Sequence, residues 1–305
     1  MTMTTPTHTD TLAPASSDAP LVSTAWLAMQ LGDPALRLFD CTVHLRPAPP
    51  GTEVPGPYVI ESGRADYNAA HIPGAAFLDL MAVSDPDSAL RFTLPSAAQL
   101  AAALSAAGIA NEHTVVLYSS TTPMWATRVW WMLRSAGHRT ALVLDGGLAK
   151  WRNEGRVITN EPTAYAPAHF VSATRPDDWA TQQDVLHAID NNGVCTVNAL
   201  SRALHTGESD VSYGRKGHIK GSVNVPYASL LEADGTYKRP ETLRAAFAAV
   251  GALDRARVIC YCGGGISATM DALALVISGH QNVAVYDGSM SEWVRDESLP
   301  MSLGD

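Results

Sequence analysis

Val258-Ile-Cys-Tyr-Cys-Gly-Gly-Gly-Ile-Ser-Ala-Thr269 is the stretch from which the fold is read. An apolar, β-prone run, Val258 to Tyr261, delivers the thiol of Cys262 onto three consecutive glycines. Beyond them Met270, Leu273, Ala274 and Ile277 recur at helical spacing, and Gly279 is the expected stop. Strand, cysteine, side-chain-free loop and helix start together describe a pocket for an anion. Glycines let backbone N–H groups turn inward, and a helix start adds a partial positive charge. The loop holds no Lys or Arg, so a sulfur anion at Cys262 depends on dipoles. A helix end supplies at most about 2 kcal/mol, which leaves the rest to the N–H groups of Gly263, Gly264 and Gly265. A plain tight turn rarely needs Gly-Gly-Gly, which is costly in chain entropy.

The chain is also internally duplicated. Val116-Leu-Tyr-Ser-Ser-Thr-Thr-Pro-Met-Trp-Ala-Thr127 aligns without gaps on Val258 to Thr269 at a shift of 142 positions. The same shift superposes Gly137-His138 on Gly279-His280, Asp145-Gly146 on Asp287-Gly288 and Trp151 on Trp293. His71-Ile-Pro-Gly-Ala and His218-Ile-Lys-Gly-Ser repeat at a slightly larger offset, the mark of a small insertion. Two copies of one α/β unit are therefore expected. Ser120 faces Cys262 in the first copy, which lacks both nucleophile and glycines, so chemistry is expected only in the second.

These features resemble the tandem-domain rhodanese sulfurtransferases. The resemblance rests on the two α/β units, the His-Ile-x-Gly-Ser-x-Asn-x-Pro segment from His218 to Pro226, the six-residue Cys loop and Asp-Gly-x-x-x-x-Trp from Asp287 to Trp293. It covers nearly all of the chain after the first twenty residues. It implies an α/β fold of two tandem rhodanese-like domains, each a central parallel sheet flanked by helices. It assigns Cys262 as the catalytic residue that carries a persulfide, with Gly263, Gly264, Gly265, Ile266 and Ser267 as the loop that holds persulfide and substrate. The expected division is a disordered tail, 1–20, an inactive repeat, 21–155, a linker, 156–178, and a catalytic repeat, 179–305.

The departures from that family bear on the sulfur donor. Thiosulfate-type loops usually carry cations, whereas this loop is neutral. Mercaptopyruvate-type loops read Cys-Gly-Ser-Gly-Val-Thr, and here Gly264 replaces the Ser and Ser267 the Thr. Upstream, the family's Asp-x-Arg strand end becomes Asn198-Ala199-Leu200, and Leu204 falls roughly at a second Arg. Arg202 and Arg215, with Lys216, are the candidates to replace those donor-binding cations. The reading leans to thiosulfate, with 3-mercaptopyruvate as the alternative donor and cyanide, a small thiol or a dithiol protein as acceptor. A non-enzymatic persulfide carrier or sulfur-binding module stands as the alternative, motivated by the missing arginines.

Other chemistries fit less well. Cys-based phosphatases need an Arg six residues after the Cys to clasp phosphate, and that position is Ala268. Cys260-x-Cys262 has no partner pair for a metal, so no metal and no cofactor are expected. The net charge of −9 and the lack of a basic run argue against nucleic acid and anionic membranes. Four cysteines without a framework point to a reducing, cytoplasmic compartment. Met1 to Pro20 has no cation and no apolar core and reads as a tail rather than a signal peptide.

Several local expectations follow. Ser23 is the N-cap of a first helix, a short strand ends at Asp40, and Arg46 to Pro57 forms a loop. His71 and His218 occur in both copies, which favours a structural role. Trp130 and Trp131 lie at helical spacing and are expected to pack in a core or between domains. One of Arg128 and Arg134, in the same segment, is expected to point toward the cleft.

Overall fold

Apolar runs bounded by glycine and proline set the strands. The computed structural model describes residues 19–49 and 57–305, so the expected tail lies outside it except for its last two positions. The first half contains β1 (Leu21–Val22), β2 (Leu36–Asp40), β3 (Val43–Pro47), β4 (Tyr58–Ser62), β5 (Ala75–Phe77), β6 (Thr114–Tyr118) and β7 (Ala141–Leu144). The second contains β8 (Trp179–Ala180), β9 (Val194–Asn198), β10 (His218–Ile219), β11 (Val223–Asn224), β12 (Arg257–Tyr261), β13 (Val283–Tyr286) and β14 (Met301–Ser302).

One five-stranded sheet runs β1-β7-β6-β2-β5 and the other β8-β13-β12-β9-β11, the same order in both halves. Every neighbour in both sheets is parallel. Parallel sheets need cover on both faces, which is why β7 and β13 are apolar and buried throughout. The central strands β6 and β12 end at the Ser120 and Cys262 loops, the place where such sheets present ligands.

The two halves meet through the helices that follow these loops, Met124–Ser135 and Ala268–Ile277. Thr127 Oγ1 and Thr269 Oγ1 lie 2.8 Å apart between them. These residues are equivalent at the shift of 142, so a local two-fold axis passes through their hydrogen bond. Every residue of Met124–Ser135 is buried, because this helix faces its own sheet on one side and the second half on the other. Trp130 and Trp131 take core positions and donate their indole N–H groups to Ala141 O and Asp178 O.

The pairing is reciprocal at the strand ends as well. Asp287 Oδ2 accepts Leu94 N–H at 2.7 Å, and Asp145 Oδ1 accepts Tyr237 N–H at 2.8 Å. Each half thus holds a loop of the other through the aspartate of its Asp-Gly turn. The symmetry breaks in one respect. Arg128 reaches Asp287 at 2.7 Å, while the residue equivalent to Arg128 is Met270, so Asp145 has no matching arginine.

Local readings from sequence hold at several points. Ser23 Oγ accepts Trp26 N–H, β2 ends at Asp40, and Gly279 closes its helix with φ of 85°. His71 sits between Tyr67 O and Glu161 O and stacks on Tyr67, and His218 binds His205 O and stacks on His205. Both histidines are therefore buried turn supports. The loop expected from Arg46 to Pro57 is corrected at its start. Arg46 and Pro47 close β3, opposite Val59 and Tyr58 of β4, because ladder pairing with β4 satisfies their backbone groups. The segment 156–178 is largely irregular and lies against the first half, where Phe170 is buried and Thr159 pairs with His71.

Burial raises the Asp145 carboxyl from its ordinary value to about 6, and Asp234 adds to this while Lys150 opposes it. A carboxyl raised in this way binds its proton more tightly folded than unfolded. Its contribution to stability is therefore complete at low pH and is lost as pH rises through about 6, on the order of 3 kcal/mol. Asp145→Asn keeps the acceptor for Tyr237 without the charge. Its thermal midpoint is expected to exceed the parent's at pH 8 and to match it near pH 4, as scanning calorimetry will read.

Candidate active site

The loop after β12 is fixed through its carbonyl groups. Cys262 O accepts Met290 N–H at 3.1 Å, and Gly263 O accepts Ser291 N–H at 2.8 Å and Ser291 Oγ–H at 2.7 Å. Gly265 O takes Arg128 Nη1–H at 3.3 Å, and Ile266 O takes Thr269 N–H and Oγ1–H. In a planar trans peptide the C=O and the following N–H point in opposite directions. Tying those four carbonyls outward therefore turns the N–H groups of Gly263, Gly264, Ile266 and Ser267 the other way, toward the cavity. None of these N–H groups has an acceptor among the described residues. The helix Ala268–Ile277 starts immediately behind them, and its N-cap Ser267 makes no side-chain cap bond.

Gly265 departs from the expected cradle. Its N–H, like that of Cys262, donates to Ser289 Oγ, at 3.0 and 3.1 Å. The same hydroxyl donates to Tyr286 O at 2.7 Å. Ser289 is fully buried with φ of 49°, a left-handed conformation uncommon outside glycine. Its equivalent in the first half is Gly147, with φ of 55°. The comparison of the two repeats carried this signal: a serine stands where the other copy uses glycine, and the loop supplies the reason.

Cys262 opens on a cavity of about 320 Å³ between the two halves. The second half contributes Cys262, Gly263, Gly264, Ile266 and Ser267, with Tyr213 and Val294. The first half contributes Leu45 and Ile60 from the β3–β4 hairpin, Tyr58, Phe92 and Trp125. Two cations border it, Arg91 and Arg295, and their guanidinium groups donate to Tyr58 O and Ala89 O. The cavity is thus mostly apolar, with its polar groups gathered at the thiol loop.

Arg202 and Arg215, expected as donor-binding residues, do not line this cavity. Arg202 is exposed and paired with Asp305, and Arg215 donates to Asp296 O and Leu299 O. Those partners satisfy both guanidinium groups elsewhere on the second half. Arg134 stays with Asp178, while Arg128, wholly buried, is the arginine that reaches the cleft. It binds Gly265 O, Phe92 O and Asp287 at once and lies over the Trp179 ring.

Asp271 lies on the helix behind the loop. It is fully buried, and neither carboxyl oxygen has a hydrogen-bond partner among the described residues. Burial raises its carboxyl well above the usual range, so it stays neutral and adds no negative charge behind the thiol.

In the first half, Ser120 occupies the thiol's position and exchanges hydrogen bonds with Thr42. Ser119 Oγ likewise accepts Thr121 N–H, so hydroxyl groups take up N–H groups of that loop.

Comparison with known proteins gives a consistent picture. Residues 23–154 and 196–296 each match the rhodanese-like domain model. Thiosulfate sulfurtransferase of Rattus norvegicus is 36% identical over 284 residues, 90% of this chain and 92% of that protein. 3-Mercaptopyruvate sulfurtransferase of Escherichia coli strain K12 is 32% identical over 92% of this chain and 96% of that protein. The crystal structure of SseA from Escherichia coli, a 3-mercaptopyruvate sulfotransferase of rhodanese fold, superposes with a TM-score of 0.76 at 32% identity. It covers 90% of this chain and all of that one.

The three glycines are expected to respond differently to a methyl group. A Cβ on Gly263 would lie 2.0 Å from Tyr213 Cζ and Oη, and one on Gly265 would lie 2.5 Å from Asp287 O at a φ of 73°. A Cβ on Gly264 meets nothing closer than Ser291 Oγ at 3.7 Å. Gly264→Ala should leave the thermal midpoint unchanged, whereas Gly265→Ala should cost about 1–3 kcal/mol from backbone strain. Gly263→Ala should displace Tyr213. Chemical denaturation of the three variants checks this order.

Proposed function

The chain belongs to the rhodanese family and is a sulfurtransferase, and we propose that it works through a persulfide on Cys262. The observation that carries this reading is the set of N–H groups turned toward the cavity beside Cys262, with no other acceptor among the described residues. A sulfur anion in that place has four dipoles aimed at it and a helix start behind it. Preorganised dipoles of this kind need no reorganisation as charge moves from donor to enzyme.

In the first half-reaction the Cys262 thiolate attacks the terminal sulfur of thiosulfate or of 3-mercaptopyruvate. The new Sγ–S bond forms as the donor's S–S or C–S bond breaks, and sulfite or pyruvate departs. In the second half-reaction cyanide, a small thiol or a dithiol protein attacks the terminal sulfur and restores the thiolate. The order is ping-pong, as expected for covalent catalysis. Thiosulfate is the first donor to test, given the relatives that carry its name, with 3-mercaptopyruvate second. Turnover is favoured over a carrier role by relatives that are enzymes along nearly their whole length.

The same reading divides the chain into an inactive repeat, 21–155, a linker, 156–178, and a catalytic repeat, 179–305. No helix among the described residues is long and apolar enough to cross a membrane. The four cysteines, all buried free thiols, support a reducing, cytoplasmic setting.

Intact mass after incubation with each donor tests the proposal. The parent should gain one sulfur atom, and Cys262→Ser should gain none while keeping its thermal midpoint. A sulfur gain that survives Cys262→Ser would falsify the assignment of the nucleophile.

A further inference from the structure

Two arginines, Arg91 and Arg295, border the cavity at Cys262, each donating to a backbone carbonyl, but the thiol loop itself carries no cation, and sulfur transfer leaves negative charge on oxygen atoms of the departing group. One side chain is placed to meet that charge. Leu200 and Leu204 stand where the family's arginines were expected, and together with Tyr213 they line a small pocket behind the active cavity. The Tyr213 ring sits among these leucines on one side and borders the Cys262 cavity on the other. Its Cζ and Oη lie 2.0 Å from where a Cβ of Gly263 would be, so its hydroxyl end rests on the residue next to the thiol. That hydroxyl makes no hydrogen bond to any described residue, and it is not among the sealed polar atoms that lack a partner. Burial, with Cys262, Tyr58 and Tyr227 nearby, raises the phenol far above its usual range, so it remains a neutral donor.

We propose that Tyr213 Oη–H is a catalytic hydrogen-bond donor to the leaving group of the sulfur donor. The proposal rests on Cys262 as the nucleophile. The chemistry it recognises is an oxyanion on the departing group, which two donors supply. With thiosulfate, the thiolate attacks the outer sulfur, the Sγ–S bond forms, and the S–S electron pair leaves with sulfite. With 3-mercaptopyruvate, the C–S pair leaves as the enolate of pyruvate, which then takes a proton from water. Tyr213 keeps its own proton in both cases and donates a hydrogen bond to sulfite oxygen or enolate oxygen. No oxidant or reductant is required.

Tyr213→Phe removes the hydroxyl while keeping the ring against Leu200, Leu204 and Gly263. The experiment follows persulfide formation by rapid quench and intact mass, with thiosulfate and 3-mercaptopyruvate in separate arms. It also follows discharge of the preloaded persulfide by cyanide, and the thermal midpoint. Loading by at least one donor is expected to slow about a hundredfold or more, the scale of losing one oxyanion donor. Discharge and thermal midpoint should stay unchanged, and the slowed arm identifies the donor whose oxyanion Tyr213 meets. Unchanged loading in both arms, or equal slowing of loading and discharge, overturns the proposal. Failure of the parent to take up sulfur, or uptake by Cys262→Ser, would instead overturn the reading of Cys262.

Discussion

A buried guanidinium ties the thiol loop to both halves of the chain. Arg128 starts on a helix of the first repeat, crosses the interface fully buried, and meets Gly265 O, Phe92 O and Asp287. Asp287 in turn holds Leu94 N–H. A buried charge is costly unless it is paired and hydrogen-bonded, so these groups constrain one another. The cation therefore does not act at the cavity, where it could greet an anionic donor. It is used to turn a carbonyl away from the thiol and to fix Phe92, a part of the cavity wall.

That use of charge explains how a neutral loop can hold an anion. Met290 N–H, Ser291, Arg128 and Thr269 each take a loop carbonyl, and peptide planarity then sends the following N–H toward the cavity. Ser289 occupies the one intervening N–H, that of Gly265, and ties the loop to Tyr286. The anion site is thus built by what is done to the opposite end of each peptide. The glycines allow close approach of Tyr213 at position 263 and a left-handed backbone at 265, while position 264 has open space.

The fold and the thiol loop were legible because they are local or repeated. Strand, glycines and helix follow one another within Val258–Ile277, and the shift of 142 positions carries the first repeat onto the second. The loop expected at Arg46–Pro57 starts later than the proline content suggests, since Pro47 is tolerated in a two-stranded ribbon, at the end of β3. Arg202 and Arg215 carry positive charge in one segment of sequence, but local partners hold both away from the cavity. Tyr213 gave no signal, since it lies in the irregular stretch between Gly207 and Gly217 with neither period nor repeat partner. Ser289 did have a signal, its alignment with Gly147, which only backbone angles make meaningful.

The hydrogen bond between Thr127 and Thr269, and the matched Asp–N–H bonds beside it, form an interface that is the same surface on both halves. A single repeat with this surface could pair with a second copy of itself, and each would then carry its own thiol loop and borrow the other's cavity wall. Fusion into one chain lifts the requirement that both copies do both jobs. The copy with Ser120 then serves as wall, through its hairpin and Phe92, while the copy with Cys262 keeps the chemistry. Substitutions that retune what enters the cleft can accumulate in the former without touching the peptides that hold the sulfur.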